Sequence, residues 1–280
     1  CKETIGPQLP RFVDEAALYS YFGGRIELFR YGYINSPVYA YDINSAYPAE
    51  MENLPDFSKG RWTQFDYSGI SAALIYSDIP RYSMILIDWN HSKENVLYPF
   101  AYRSGVQRKV MYPKAGRGWV HKSELDAAMK WQRQTGIEIK VYSVAAFEPW
   151  EQSPPCAWIR SYYLQRQKIV AEIKRTGIDN GAEKVIKLGL NSLYGRTAQT
   201  VGGSKDKKPA FHNLYAAGYI TAGTRAKIYD AAMNKPESII MAATDGLYLS
   251  EPLPDGVIPV GTDKKLGEWE TVSYTHLTLP

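Results

Sequence analysis

Residues 239–250 read IIMAATDGLYLS, two β-rich runs on either side of Asp245-Gly246. An Asp-Gly pair between apolar runs is the strongest short-range hairpin signal, so this stretch predicts two antiparallel strands. Around it, strand-like and helix-like segments alternate irregularly. Strands are predicted at 25–30 (RIELFR) and 37–43 (PVYAYDI), and the runs WTQFDY, SMILIDW and IEIKVYSV surround a helix, SELDAAMKWQRQ. In that helix Ser123 is the expected N-cap and Gly136 the closing residue. A short amphipathic helix is predicted at 13–22. After the breaker Pro154-Pro155, two helices follow at 157–175 and 179–194, turning at Thr176-Gly177, with Gly195 as the expected C-cap. Gly202-Gly203 with Lys205, Lys207 and Lys208 reads as a loop or hairpin tip, and a further helix is predicted at 214–234. No βαβ repeat runs through this order. The pattern predicts an α+β fold, an antiparallel sheet with helices on one side.

A chain of 280 residues with 45% hydrophobic content can bury one large core or two small ones. No apolar run approaches the roughly 20 residues of a membrane helix. Only Cys1 and Cys156 are present, which excludes a disulfide framework and a multi-cysteine metal site. A reducing compartment is therefore expected. Net charge is +4, too mild to name a partner, but 22 tyrosines supply faces that can stack on sugars or bases. The opening at Cys1 suggests a truncated reading frame. Val272 to Pro280 (VSYTHLTLP) resembles a translated sequencing adapter and is set aside from the fold reading.

Three segments carry residue types suited to chemistry. In Asp42-Ile43-Asn44-Ser45-Ala46-Tyr47-Pro48, an acid closes an apolar strand just before a chain reversal. Such an acid can hold a metal at the rim of a sheet, or simply cap the turn. Lys184, Lys187, Asn191 and Tyr194 are spaced three, four and three apart, so they share one helix face. That face suits a triphosphate and its sugar, and equally an ordinary solvated surface, while Val185, Ile186, Leu188, Leu190 and Leu193 supply an apolar face for packing. In Ala243-Thr244-Asp245-Gly246, the acid sits at a hairpin tip. Brought beside Asp42, it would repel that carboxylate unless cations lay between them.

Together these segments resemble, in order, the three polymerase motifs of family B DNA polymerases. The first is similar to D-x-x-S-L-Y-P, with Ala46 in place of leucine. The second, from Lys187 to Gly195, matches K-x-x-x-N-S-x-Y-G at every fixed position. The third resembles Y-x-D-T-D-S only at Thr244 and Asp245, since Ala243 replaces its first aspartate and Gly246 its serine. Tyr21-Phe22-Gly23-Gly24 is similar to the family's Y-x-G-G segment. Lys265-Leu266-Gly267-Glu268-Trp269 resembles the run after the third motif in protein-primed phage members.

The resemblance implies a polymerase palm with an antiparallel sheet plus helical-hairpin fingers. Residues 1–156 would form the first part of the palm with an insertion, 157–195 the fingers and 196–271 the rest of the palm. It implies two Mg²⁺ ions held by Asp42 and Asp245, with the Ile43 carbonyl as a further ligand. Lys187 and Asn191 would meet the triphosphate, Tyr47 would lie beneath the deoxyribose and Tyr194 would border the nascent base pair. Tyr21, Gly23, Gly24, Ser192 and Gly195 would touch DNA, and Arg175 or Lys174 would add a phosphate contact. The implied partners are template-primer DNA and deoxynucleoside triphosphates, with no membrane. Priming by an oligonucleotide or by a terminal protein stays open. The expected setting is the cytoplasm of a host or virus-infected cell. The alternative is a palm scaffold that grips nucleic acid without catalysing, given the eroded third motif.

Overall fold

The structure, a computed structural model, describes residues 10–105, 109–179, 181–199, 211–260, 265–274 and 277–279. The expected tip at Gly202-Gly203 lies outside these residues. Helix α1 (Arg11–Ser20) leads into β1 (Arg25–Leu28), β2 (Gly32–Ile34) and β3 (Val38–Ile43), and α2 (Ala46–Glu52) follows at once. After the long central segment come α6 (Ile159–Thr176), α7 (Ala182–Ala198) and α8 (Leu214–Ala232), then β10 (Ile239–Thr244), β11 (Gly246–Leu249) and β12 (Trp269–Tyr274). Five of the strands form one antiparallel sheet in the order β1-β10-β11-β3-β12. The hairpin and both flanking strands expected from the sequence are thus in one sheet, with β3 between β11 and β12.

Alternation along β3 decides which face each side chain takes. Tyr41 and Ile43 are buried in a cluster with Ile228, Tyr229 and Leu247, under α8. Asp42, between them, is exposed on the other face. Helix α8 is itself apolar nearly all round and almost wholly buried, as such a composition requires. Its glycines let neighbours approach closely. A Cβ at Gly218 would lie 2.5 Å from His121 Nε2, and one at Gly223 would lie 2.6 Å from Glu50 Oε2.

The central segment builds a second antiparallel sheet, order β4-β9-β5-β8, from β4 (Gly60–Ser71), β5 (Tyr82–His91), β8 (Ala115–His121) and β9 (Ile137–Pro149). Short helix α3 (Ala72–Ile75) follows β4, and a small ribbon of β6 (Tyr102–Arg103) and β7 (Val110–Met111) precedes β8. This segment lies between the first motif and the helical pair, where the sequence left room for an insertion. Helix α4 (Lys122–Lys130) and one further turn, α5 (Gln132–Thr135), complete it.

Several local expectations are corrected. Ser123 is not the N-cap of α4. His121, extended at φ −86°, holds that position and donates its N–H to the Glu124 carboxylate (3.2 Å), because β8 runs straight into the helix. Gly136 does close the segment, in the left-handed conformation (φ +66°). Gly195 is not a C-cap, since α7 continues to Ala198. The apolar positions of α7 are split: Leu190 is buried, but Val185 and Leu188 are 71% and 72% exposed. The two-residue turn of the hairpin is Thr244-Asp245, because Ala243 pairs with Gly246, and Thr244 takes the positive φ (+62°). At the far end, the backbone of 272–274 continues β12 along β3, and β13 (Leu277–Leu279) pairs with β2.

Candidate active site

Register brings the two aspartates to one place. The Asp42 Cα faces Gly246 on β11 and Glu270 on β12, and the Ile43 N–H donates to the Asp245 carbonyl (3.0 Å). Asp42, Asp245 and Glu270 line a single cavity of about 540 Å³. Its opposite wall comes from the helical pair: Arg166 on α6, and Lys187, Asn191 and Tyr194 on α7. Ile43 and Tyr47 also line it. Acids therefore stand on the sheet side and cations on the helix side of one cleft.

Burial raises the Asp245 carboxyl above the ordinary carboxylate range. The Tyr47 phenol is pushed up to about 12, chiefly by burial and then by the charge of Asp245. Burial, with the bond to Tyr21, also raises Tyr194. Both phenols are neutral at physiological pH. Their rings pack at 4.5 Å between centroids, and the Tyr194 hydroxyl lies 3.1 Å from that of Tyr21.

Backbone conformation frames both acids. Ser45 (φ +50°) and Thr244 (φ +62°) are left-handed without being glycine, a geometry that costs about 1–2 kcal/mol each and concentrates at functional sites. The Gly267 N–H donates to the Asn44 carbonyl (2.8 Å), and the Asn44 N–H donates to Glu268 (2.9 Å), so the segment before β12 pins the end of β3. Gly24 lies against this turn. A Cβ there would sit 2.7 Å from Thr244 Cγ2 and 2.8 Å from the Tyr47 hydroxyl, whereas one at Gly23 would meet nothing within 4 Å. The Phe22 and Gly23 carbonyls accept from the buried Arg225 Nη1 at 2.6 and 2.8 Å. Arg225 Nε in turn donates to Glu124 (2.9 Å).

Not every expected residue joins the cleft. Lys184 points away and pairs with Asp179 (3.2 Å), and Arg175 pairs with Glu172 (2.5 Å). Ser192 is exposed and donates to the Gly189 carbonyl (3.0 Å), and Gly195 is exposed within α7. Arg166, absent from the sequence reading, is held toward the cleft by Glu183 (2.6 Å). Glu270 was also missed. Its neighbour Trp269 drew attention, but nothing local marks the next residue as facing Asp42.

Among the described residues no cluster of three or more His, Cys, Asp or Glu is arranged as a ready-made metal cage. Two carboxylates, one on β3 and one, desolvated, in the turn between β10 and β11, are nevertheless the donor set that Mg²⁺ favours, since it takes one or two carboxylates and completes its shell with water and phosphate.

An antiparallel palm-like sheet with acids at its rim, faced by a basic helical hairpin, defines the polymerase class of fold. Residues 8–208 match the model of the family described as DNA polymerase type B, organellar and viral, and the chain belongs to that family. Phi29 DNA polymerase in an orthorhombic crystal form is 21% identical, with a TM-score of 0.70 over 98% of this chain and 50% of that one. The same polymerase with primer-template DNA and incoming nucleotide gives 19% and 0.71, over 99% and 50%. Its complex with single-stranded DNA gives 20% and 0.64, over 98% and 49%. At these identities the likeness is one of fold, and the chain spans about half the length of those polymerases. No curated protein matches the chain. Among the described residues no helix is long and apolar enough to cross a membrane.

Proposed function

We propose that this chain is the palm and fingers portion of a template-directed DNA polymerase, which adds deoxynucleotides to a primer 3′-hydroxyl. The observation that carries the reading is the shared cleft: Asp42 and Asp245 on one wall, Arg166, Lys187 and Asn191 on the other. On this reading, residues 1–156 and 196–271 form the palm with its insertion, and 157–195 form the fingers. The acids alone would repel a triphosphate, and the cations alone would hold it without activating anything. Facing one another, they suit a substrate that bridges metal and protein.

Asp42, Asp245 and the Ile43 carbonyl would hold two Mg²⁺ ions, which when bound supply the charge that acidifies the primer hydroxyl and offsets the triphosphate. Lys187 and Arg166 would draw the triphosphate oxygens to the helix wall, Lys187 as a mobile charge and Arg166 as a fixed fork. Asn191 would add a hydrogen bond. Tyr47, neutral and packed on Tyr194, would floor the sugar site and exclude a 2′-hydroxyl, while Tyr194 would border the base pair. Tyr21, Gly23 and Gly24 would guide the template, and Ser192 and Gly195 would meet DNA on the outer side of α7. Template-primer DNA and deoxynucleotides are the partners, with a terminal protein as a candidate primer, and the setting is replication in the cytoplasm of a host or virus-infected cell.

Asp245→Asn tests this. It should abolish primer extension and the nucleotide-dependent binding of Mn²⁺ seen by electron paramagnetic resonance, while duplex affinity stays at the parent value. Extension at the parent rate would sink the assignment. Duplex binding by a parent chain that neither extends primers nor takes up Mn²⁺ would favour the non-catalytic scaffold.

A further inference from the structure

A second cavity, of about 390 Å³, lies between α2, α4 and α8 and shares no lining residue with the aspartate cleft. Its volume falls within the range of about 300–1,000 Å³ typical of ligand sites. Four cations and three acids line it. Each acid has a lysine partner: Glu50 pairs with Lys227 (2.6 Å), Asp230 with Lys130 (2.7 Å) and Asp126 with Lys122. The fourth cation, Arg81, has no carboxylate partner among the described residues. Its Nε donates to the Tyr219 hydroxyl (3.1 Å), which fixes the plane of the guanidinium. Among the described residues nothing accepts from its Nη1 or Nη2.

Two more lining residues extend that receptor. Lys122 and Ser123 open α4, whose N-terminal dipole favours an anion. The Lys122 side chain is only 9% exposed, and the Ser123 hydroxyl has no hydrogen-bond partner among the described residues. Ala127, Gly223 and Ala226 add a buried, uncharged wall. This chemistry selects an anion with a polar body. An open guanidinium fork, an ammonium and a hydroxyl offer more donors than the two oxygens of a carboxylate take, and they suit a phosphate. Inorganic phosphate would leave the alanine and glycine wall uncovered. A hydrocarbon body would strip water from Glu50, Asp126 and Asp230 without replacing it, whereas sugar hydroxyls donate to them.

We infer that this cavity binds a small sugar phosphate, at a site that does not depend on the polymerase reading. Arg81 takes the phosphate through its two terminal nitrogens, and Lys122 and Ser123 take further phosphate oxygens. The sugar hydroxyls donate to the carboxylates of the lining. Tyr219 is a positioning residue, since its hydroxyl holds Nε and so aims the fork.

The test is isothermal titration calorimetry of the 280-residue chain with ribose 5-phosphate, inorganic phosphate and ribose, in EDTA so that no metal loads the cleft. Ribose 5-phosphate should bind about tenfold more tightly than inorganic phosphate, and ribose alone should give no heat of binding. Arg81→Gln should weaken ribose 5-phosphate by at least about tenfold. Arg81 is exposed, so this variant should melt within about 2–4 °C of the parent. Lys187→Ala, in the aspartate cleft, should leave ribose 5-phosphate affinity unchanged. A parent that binds no ribose 5-phosphate would overturn the inference, as would an Arg81→Gln variant that binds like the parent. Loss of binding in Lys187→Ala would overturn it by putting the ligand in the cleft. Equal affinity for inorganic phosphate and the ester would also overturn it, because the sugar would then contribute nothing.

Discussion

The most exacting prediction concerns Arg225, which ties the Tyr21–Gly24 segment to the helical layer. Its side chain is 1% exposed, and that of its partner Glu124 is 4% exposed, with Nε and Nη2 both 2.9 Å from Oε1. Replacing Arg225 by methionine keeps an apolar stem of similar length but strands the Glu124 carboxylate. Breaking a buried pair from one side costs about 3–5 kcal/mol. The Gly23 carbonyl also loses its bond, which adds about 1–3 kcal/mol, whereas the Phe22 carbonyl keeps Thr221 Oγ1 at 2.6 Å. Against a total stability of about 5–15 kcal/mol, Arg225→Met should bring the fold close to failure at 37 °C. Adding Glu124→Gln removes the stranded charge. The double variant should therefore be more stable than Arg225→Met alone, with a coupling energy of at least about 1 kcal/mol. Urea midpoints for the parent, both single variants and the double variant measure this cycle. A double variant less stable than Arg225→Met, or effects that simply add, would refute the reasoning, because they would mean that water reaches the pair.

Three further outcomes are expected. His121 is fully buried and neutral, with burial pushing its pKa from 6.5 to about 3. The unfolded chain takes up a proton as pH falls through 6.5 while the fold does not, so stability is lost between pH 6.5 and about 3, at up to about 1.4 kcal/mol per pH unit. His121→Asn, which can still cap α4, should flatten that part of the urea-midpoint profile, and an unchanged slope would show that other groups set it. Gly24→Ala should destabilise by about 1–3 kcal/mol in thermal melts and displace Tyr47, while Gly23→Ala should cost less than about 0.5 kcal/mol. Equal costs would mean that the turn yields freely. Arg166→Ala should raise the KM for nucleotide about tenfold with a smaller change in kcat, and Arg175→Ala should change neither. The reverse ranking would move the triphosphate toward the far end of α6.

The elements of this fold are legible wherever the signal is local. Alternation in PVYAYDI gives β3 and the exposure of Asp42 at once, and the helical pair follows from Pro154-Pro155 and Gly177. Cap residues were misread where two elements join without a loop, as at His121, where a strand ends and a helix begins on the same residue. The site was legible only in part, for a different reason. Lys187, Asn191 and Tyr194 fall on one helix face, which spacing predicts. That Glu270 faces Asp42 is a matter of register between strands distant in sequence, and no local pattern encodes register. Arg166 reaches the cleft because Glu183, on the partner helix, holds it there. Arg225 was hidden in the same way: it sits in an alanine-rich helix, and its partner Glu124 lies about 100 residues earlier.

The sheet that carries both aspartates takes β1 and β3 from the first 43 residues and β10, β11 and β12 from beyond residue 238. During synthesis, a ribosome adding about 5–20 residues per second makes β3 at least about 10 s before its sheet neighbours exist. Throughout that interval β3 offers unpaired backbone and the apolar side chains of Tyr41 and Ile43 to any passing strand. The central sheet between them has its four strands, β4, β5, β8 and β9, by residue 149, while the face that carries Tyr82 and Phe147 still waits for Tyr215 and Tyr219 of α8. Completion of the sheet that carries Asp42 and Asp245 therefore waits on β10, β11 and β12, and a chain stopped before residue 239 would hold the central sheet beside a β3 with neither of its neighbours.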